Sequence, residues 1–327
     1  MKIIAAIIGT GIGEKHFEAI EKYKRSKVKI ICEKNKLKLK ALKKKYPNQI
    51  ITNDENLIFN DAEINLVSIA SYDQYHFSQI IKSIDSKKHI IIEKPMCLTV
   101  EQLVKIKKKL NKNKKIKIIS NMVLRENSLF KYFKKKIKSK KIYYIEGDYI
   151  WGRKHKLFEW RSKIKDYSIT LGAGIHLIDL IMWLTKKRPI SVFATGNKLI
   201  TQNTIFKKES FVVIIFKFPN DLIVKITANA VAVYEHFHEL KIFCQNETYV
   251  NSRLGSFSYK KKIFKQNLSN YPDKKNRKRL IRSFINNLIT QKKNDVISLK
   301  EQIDLMSVCF AVDKSLKLNK LLKIKYH

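Results

Sequence analysis

The chain has 327 residues, more than the roughly 250–300 at which one hydrophobic core usually stops growing, so we expect two domains. Hydrophobic residues make up 44% of the chain, which excludes a wholly disordered protein. The 68 Lys and Arg against 28 Asp and Glu give a formal net charge of +40, which favours acidic ligands. Short lysine clusters are scattered along the whole sequence, however, and this favours a compositional bias over a nucleic-acid partner.

The first 120 residues alternate short apolar runs with segments of helical periodicity. Phe77, Ile80, Ile81 and Ile84, for example, mark one apolar face of a helix. The apolar runs predict strands at residues 3–8, 28–32, 66–70, 89–92 and 116–119. Strands that alternate with helices predict a doubly wound parallel sheet, and we assign residues 1–120 to this α/β domain.

Beyond residue 120 the pattern changes to neighbouring strands. Pro219-Asn220-Asp221 separates two apolar runs and predicts an antiparallel hairpin. Further strands are predicted at residues 142–151 and 191–195, with a strand pair in 239–250. Helices are predicted at residues 175–185, 278–289 and 299–318. Residues 121–327 are therefore predicted to form an α+β domain.

A glycine turn follows the first predicted strand. Gly9-Thr10-Gly11-Ile12-Gly13 leads into a helix, where glycines let the backbone turn tightly beside a pyrophosphate and helix N–H groups favour anions. The usual third glycine would fall at position 14, which is Glu14. Glu33 directly follows the second strand, where an acid accepts the ribose hydroxyls of NAD. This order predicts dinucleotide binding.

Two further patterns carry a family resemblance. Ile69-Ala70-Ser71 with His76, and the strand that runs into Glu93-Lys94-Pro95, resemble the Gfo/Idh/MocA family of NAD(P)-dependent oxidoreductases. Gly172-Ala173-Gly174-Ile175-His176-Leu177-Ile178-Asp179 is similar to a helix in the family's second domain. The resemblance implies an N-terminal Rossmann domain, a C-terminal domain with a large, mostly antiparallel open sheet, and an active site in the cleft between them. It also implies a homo-oligomer, a dimer or tetramer, that exchanges a hydride between the cofactor and the carbinol carbon of a sugar, cyclitol or nucleotide sugar.

Site residues follow from the same resemblance. Lys94 looks like the lysine that hydrogen-bonds the reacting hydroxyl, His176 like the acid/base histidine, and Asp179 like the aspartate that orients it. Asn121 and Arg161 are candidates for substrate binding, and a guanidinium at Arg161 would suit an acidic sugar. The expected cofactor-binding residues are Gly9, Thr10, Gly11, Ile12, Gly13, Glu33, Ser71, His76, Glu93, Lys94 and Pro95. Glu33 would repel the 2′-phosphate of NADP and Lys34 would attract it, so NAD is expected and NADP is not excluded.

One position departs from the family pattern. Many members carry an aspartate four residues before the histidine, where this chain has Gly172. Tyr167 and Asp166 lie near enough in sequence to substitute for it. The alternative to an active enzyme is a catalytically silent, cofactor-binding member that acts as a sensor or assembly partner.

The remaining motifs bear on metals, redox state and location. His236 and His238 alternate along a strand, but no third ligand spacing accompanies them, so no metal is expected. The four cysteines are far apart and unpaired by motif, and no apolar stretch approaches about 20 residues. We therefore expect a cytoplasmic protein without a membrane span.

Overall fold

The computed structural model describes residues 1–260, 263–267, 273, 275–291 and 296–327. They form two compact units. Unit 1 combines Met1–Glu126 with Lys274–Ile303, and unit 2 combines Asn127–Asp273 with Asp304–His327.

The strands of the described residues are β1 (Ile3–Ile8), β2 (Ser26–Cys32), β3 (Ile50–Thr52), β4 (Leu66–Ile69), β5 (His89–Ile92), β6 (Ile118–Ser120), β7 (Ile142–Ile150), β8 (Ser191–Asn197), β9 (Phe211–Lys217), β10 (Ile223–Asn229), β11 (Phe237–Cys244), β12 (Glu247–Ser252), β13 (Gly255–Lys260), β14 (Ile263–Asn267) and β15 (Leu322–Lys323). The α-helices are α1 (Gly13–Glu21), α2 (Lys36–Lys45), α3 (Asn56–Asn60), α4 (Asp73–Asp85), α5 (Val100–Lys112), α6 (Ser128–Ile137), α7 (Ile175–Thr185), α8 (Asn276–Thr290) and α9 (Leu299–Leu318). Among them, none is both long and apolar enough to cross a membrane.

Unit 1 contains a six-stranded sheet in the order β3-β2-β1-β4-β5-β6 within the described residues. All its strand pairs are parallel. The order reverses between β1 and β4, and in such sheets ligands bind beyond the carboxyl ends of the strands at that point. The predicted doubly wound parallel sheet is confirmed.

Unit 2 contains a nine-stranded sheet in the order β14-β13-β12-β11-β7-β10-β9-β8-β15 within the described residues. Only the β7–β10 pair is parallel there, so the predicted mostly antiparallel sheet is confirmed. The predicted hairpin joins β9 to β10. Asn220 and Asp221 have φ angles of 64° and 56°, the left-handed conformation that tight hairpin turns require.

Small residues bring α7 close to this sheet. A side chain at Gly147 on β7 would begin 3.3 Å from the Leu177 side chain, and one at Gly174 would begin 3.7 Å from Ala228 on β10. The missing side chain at Gly147 therefore helps α7 to lie on β7, whereas a side chain at Gly174 would make only an ordinary contact with β10.

The division into units differs from the predicted boundary at residue 120. The chain returns to unit 1 through α8 and the first turn of α9, which the sequence analysis placed in the second domain. Gln302 accepts a hydrogen bond of 2.7 Å from the Ser120 backbone, and Arg125 pairs with Glu301 at 2.8 Å. Helical periodicity predicts α8 and α9 but does not specify the sheet against which each helix packs.

Candidate active site

The glycine turn lies at the carboxyl end of β1. Gly9 has a φ angle of +86°, and a side chain there would begin 2.6 Å from the Ala70 carbonyl oxygen. A side chain at Gly11 would have no atom within 4 Å. The helix α1 then starts after Ile12 without a side-chain cap. The turn therefore combines a glycine that the fold requires, a glycine beside open space, and the N–H groups of a helix end that favour an anion.

Glu33 is fastened to this turn. One carboxylate oxygen accepts a 3.1 Å hydrogen bond from the Thr10 backbone and another bond from the Thr10 hydroxyl, and the second oxygen accepts a 2.9 Å bond from the Asn35 backbone. A carboxylate offers about four acceptor positions, so one remains for a further donor such as a ribose hydroxyl. The ammonium of Lys34 lies over the Tyr75 ring at 4.5 Å. The residues present thus fit the adenosine end of NAD.

A buried polar network closes the ends of β5 and β6. The Glu93 carboxylate lies 3.1 Å from His16 Nε2, 2.5 Å from the Asn121 amide and 3.3 Å from Arg277 Nε. Because a carboxylate only accepts, His16 Nε2 carries a proton and donates it to Glu93, and His16 Nδ1 lies within hydrogen-bond distance of the Ser68 hydroxyl, 2.7 Å away. Burial favours a raised pKa for Glu93, but His16, Arg277 and Asn121 hold its pKa well below the usual range.

This network shows the contacts of two predicted residues. Glu93, predicted to touch the cofactor, connects α1, β5, β6 and α8 through its partners. Asn121, predicted to bind substrate, is 1% exposed and gives its amide to Glu93. Contacts of either residue with a ligand remain predictions.

Lys94 follows this anchor directly. It is half-buried, and the peptide bond to the buried Pro95 is cis. The ring nitrogens of His76 lie 2.7 Å from the Pro95 carbonyl and 3.2 Å from the Ser71 carbonyl. The Ser71 hydroxyl donates to Gln79 at 2.6 Å. The fully buried His76 therefore ties the loops after β4 and β5 together and holds the backbone directly after Lys94.

In unit 2, His176 belongs to a cluster of rings on the helix-covered face of the sheet. The ring centroid of His176 lies 5.9 Å from that of Tyr149, and the two rings are nearly parallel. His238 lies directly opposite Tyr149 in the β11–β7 pair, with ring centroids 4.7 Å apart. His236 lies 4.9 Å from His238 and 5.3 Å from Tyr149. We call His176, His236, His238 and Tyr149 the imidazole cluster.

From the sequence, His236 and His238 are candidates only for metal ligands, and nothing in it connects them with His176. Their period-two spacing was the available signal, but the pairing of β11 with β7 is what brings them to His176. In the described residues, no group of three His, Cys, Asp or Glu side chains is arranged to hold a metal. The imidazole cluster is instead a set of stacked and edge-to-face rings.

The other predicted residues of unit 2 surround this cluster or the helix behind it. The guanidinium of Arg161 lies 4.1 Å from the Trp160 ring and 5.1 Å from the Trp151 ring. Burial raises the pKa of Tyr149, while the charges of Arg153 and Arg161 oppose that shift. Asp179 is 1% exposed. The pKa of the Cys309 thiol on α9 is raised mainly by burial, then by the charge of Asp313 and then by that of Asp179.

The space beside Gly172 is filled. Residues Thr170–Gly174 form a π-helical turn before α7, and a side chain at Gly172 would begin 2.0 Å from the Tyr167 hydroxyl. Tyr167 is 2% exposed and packs edge-on against Trp160 and Phe206. A phenol hydroxyl therefore occupies the space in which an aspartate side chain would begin.

Comparison with family models matches both units. Residues 3–121 match the model described as the oxidoreductase family with an NAD-binding Rossmann fold, and residues 134–250 match the GFO/IDH/MocA C-terminal domain. The chain belongs to the Gfo/Idh/MocA family. The resemblance predicted from the motifs is confirmed, and residues 3–121 are the family's NAD-binding Rossmann fold.

Individual relatives are distant. The chain is 28% identical over 102 residues to the uncharacterized oxidoreductase YrbE of Bacillus subtilis, which is 31% of this chain and 30% of that protein. It is 26% identical over 102 residues to the uncharacterized oxidoreductase YdgJ of Escherichia coli, 31% of this chain and 29% of that protein. These matches thus span less than a third of the relatives' length.

Solved structures share the fold over nearly the whole chain. A myo-inositol 2-dehydrogenase from Lactobacillus plantarum superposes with a TM-score of 0.85 at 19% identity, covering 99% of this chain and 100% of that one. A scyllo-inositol dehydrogenase from Lactobacillus casei with bound NAD(H) and scyllo-inositol gives 0.84 at 18% identity, covering 99% of both chains. A UDP-N-acetylglucosamine 3-dehydrogenase from Acidithiobacillus ferrooxidans gives 0.81 at 17% identity, covering 98% of both chains.

Proposed function

We propose that this protein transfers a hydride between NAD and a carbinol carbon of a sugar, cyclitol or nucleotide sugar. The observation that carries the proposal is the carboxyl edge of the unit 1 sheet. The Gly9–Gly13 turn follows β1 and has open space beside Gly11. The Glu33 carboxylate follows β2 and is hydrogen-bonded to Thr10. Lys94 follows β5 and precedes the cis peptide bond to Pro95. The named activities of the structural neighbours, two inositol dehydrogenases and a UDP-sugar dehydrogenase, support the substrate class.

The residues of unit 1 would hold the cofactor in a defined order. The N–H groups at the start of α1 would bind the pyrophosphate, and the Glu33 carboxylate would accept a hydrogen bond from one ribose hydroxyl. The nicotinamide supplies the group that accepts or donates the hydride. Lys94 would hydrogen-bond the reacting hydroxyl and help to remove its proton, and the backbone fixed by His76 and Glu93 would limit the positions open to it.

His176 would be the second group that handles the substrate's proton. Its neighbours Tyr149 and His238 restrict the orientations of its ring by packing. Asp179, three residues after His176 on α7, would help to orient the histidine. The substrate role of Arg161 rests on the fixed position of its guanidinium between two indole rings.

Turnover of cyclitols and sugars, followed through the absorbance of reduced nicotinamide, tests the proposal. Lys94→Met should lower kcat/KM by about 10²-fold or more, while NADH binding, weakened by the loss of one expected contact, stays saturable. Lys108→Met, on the exposed side of α5, is the matched control and should leave both quantities unchanged. Near wild-type turnover of Lys94→Met would contradict the assigned role.

The preference for NAD rests on Glu33 and is tested separately. Glu33→Ser removes the carboxylate that would repel a 2′-phosphate, and it also frees Thr10. We expect the ratio of NADPH to NADH affinity to rise about tenfold, measured by cofactor fluorescence. An unchanged ratio would contradict the assignment.

Gly172 supports a second candidate function, a cofactor-binding member without turnover. The Tyr167 hydroxyl fills the position beside Gly172, so no carboxylate stands there. Saturable NADH binding together with no turnover across cyclitols, sugars, sugar acids and nucleotide sugars would favour this candidate. The homo-oligomer and the cytoplasmic location remain predictions.

A further inference from the structure

A lysine-lined pocket lies in unit 2, formed by the end of α6, the start of β7, the end of α7 and the start of β10. Its volume is about 400 Å³, within the range of small-molecule sites. Seven lysines line it, among them Lys134 and Lys138 on one side and Lys186 and Lys187 on the other. We call this cavity the lysine pocket.

The pocket concentrates charge well beyond the composition of the chain. Lysine and arginine are 68 of 327 residues overall, whereas lysines are seven of the twelve residues that line the pocket. Among those described lining residues none is acidic and none is arginine. Glu247 offsets part of the charge from outside, 3.1 Å from the Lys140 ammonium. Several ammonium groups therefore face one concave space and repel one another.

The lysines come from separate parts of the chain. Lys134 and Lys138 belong to α6 and the residues after it, and Lys186 ends α7 in a left-handed conformation. A compositional bias produces runs along the sequence, but folding is needed to bring these two segments together around one cavity. The buried side chains of Ile137, Leu184 and Leu222 line it as well, so the ammonium groups stand around an apolar base.

The type of cation indicates the type of anion. Arginine forms paired, planar hydrogen bonds with both carboxylates and phosphates, whereas lysine acts as a compact point charge, and several such charges around one cavity suit the many oxygens of a phosphate chain. The concave shape suits a small ligand, whereas a nucleic-acid strand is bound along an extended groove. We propose that the lysine pocket binds an oligophosphate, a small anion with two or more linked phosphate groups.

Trp183 gives a local readout of binding. The Lys134 ammonium lies 3.7 Å from the centroid of the Trp183 ring, and both residues are half-buried. A phosphate chain that attracts Lys134 changes the charge over the indole and thus its fluorescence. The signal should disappear in Trp183→Phe, while the affinity measured by calorimetry stays within about twofold.

The test uses inorganic tripolyphosphate and the full chain at physiological ionic strength, without divalent cations. The triple variant Lys135→Gln/Lys138→Gln/Lys187→Gln removes three exposed or half-buried pocket lysines. The matched control Lys105→Gln/Lys108→Gln/Lys112→Gln removes three exposed lysines from α5 in unit 1. Both change the net charge equally. We expect the pocket variant to bind about tenfold more weakly or worse and the control to stay within about twofold.

Further arms separate the alternatives. ATP that binds more tightly than tripolyphosphate, with the same Trp183 signal, would identify a nucleotide as the source of the phosphate chain, and equal affinities would identify the chain alone. If both triple variants bind tripolyphosphate equally weakly, the general positive charge of the protein explains the binding, and the proposal is overturned. Absence of tripolyphosphate binding, or pocket-dependent binding of a single-stranded oligonucleotide alone, would overturn it as well.

Discussion

The two units build their sites in opposite ways. In unit 1, polar side chains at the ends of parallel strands bond to one another, as Glu93 does with His16 and Asn121 and Glu33 does with Thr10. In unit 2, the imidazole cluster consists of rings in packing contact, from β7, β11 and α7. Hydrogen bonds and charges therefore hold the backbone of the unit 1 site, whereas ring contacts help to orient the histidines of unit 2.

Buried carboxyl groups show the same contrast. In unit 1, cationic and amide neighbours hold the pKa of Glu93 well below the usual range. In unit 2, burial raises the pKa of Asp313 on α9 to about 6, although Ser168 donates a 2.7 Å hydrogen bond to it. The contributions of the two carboxyls to the free energy of unfolding therefore change in opposite directions with pH. Substituting each carboxyl in turn should show this difference between the two units.

The largest effect is expected for Glu93→Gln. Loss of the charge leaves Arg277 and the His16 N–H without their carboxylate, which should lower the free energy of unfolding by about 3 kcal/mol at pH 7. Because the folded pKa is depressed, this contribution is fully present above the ordinary Glu pKa of 4.5 and is lost progressively as the pH falls from there towards the folded pKa.

Urea unfolding of wild type and Glu93→Gln at pH 7 and near pH 4 measures this effect, and the gap should narrow at the lower pH. Glu18→Gln is the control, because its pair with Lys15 is exposed and should contribute less than about 1 kcal/mol. A constant gap at both pH values would contradict the electrostatic account of unit 1.

The two glycines of the turn should behave differently. Gly9→Ala forces a left-handed alanine against the Ala70 carbonyl and should cost about 2 kcal/mol of unfolding free energy. Gly11→Ala meets no atom within 4 Å, so it should leave stability within about 0.5 kcal/mol.

Cofactor titration completes the test of the turn. Gly11→Ala places a methyl group in the open space beside the helix end and should weaken NADH binding about tenfold despite its normal stability. Equal NADH affinity in Gly11→Ala and wild type would show that the phosphates do not pass this glycine.

Asp313→Asn should stabilise the protein. Between pH 4 and 6 the folded state keeps a proton that the unfolded state loses, so ionising Asp313 costs stability as pH rises from its ordinary pKa of 3.8 to about 6. The asparagine has no such cost and should raise the free energy of unfolding by about 1–2 kcal/mol at pH 7.

Thermal unfolding of Asp313→Asn against wild type, followed from about pH 3 to pH 7, measures the gain. The advantage should vanish as the pH falls below the ordinary Asp pKa of 3.8, where wild-type Asp313 is protonated in both states. A gain that does not depend on pH would point to packing and not to charge.

The sequence predicted unit 1 and its site more fully than unit 2 and its site. The glycine turn, Glu33 and Glu93-Lys94-Pro95 are contiguous motifs, and β1, α7 and α9 have the predicted bounds because their apolar patterns are long and regular. The imidazole cluster was not predicted, since cross-strand neighbours such as Tyr149 and His238 are 89 positions apart by their residue numbers. The short edge strand β3 lacks a clear apolar pattern and was missed. The helix α6 was missed although Leu129, Phe130, Phe133 and Ile137 form an apolar face at helical spacing among its lysines.

The smallest effect expected concerns His238 and rests on the proposed function. His238→Asn keeps a polar side chain but removes the ring that packs edge-on against Tyr149 and His176. The His176 ring then gains orientational freedom, and we expect kcat to fall about tenfold while NADH affinity, which depends on unit 1, stays constant. His238→Phe restores a ring without a titratable nitrogen and should recover most of the kcat. If His238→Phe is as impaired as His238→Asn, the imidazole itself takes part in the chemistry, and packing is not sufficient to explain the cluster.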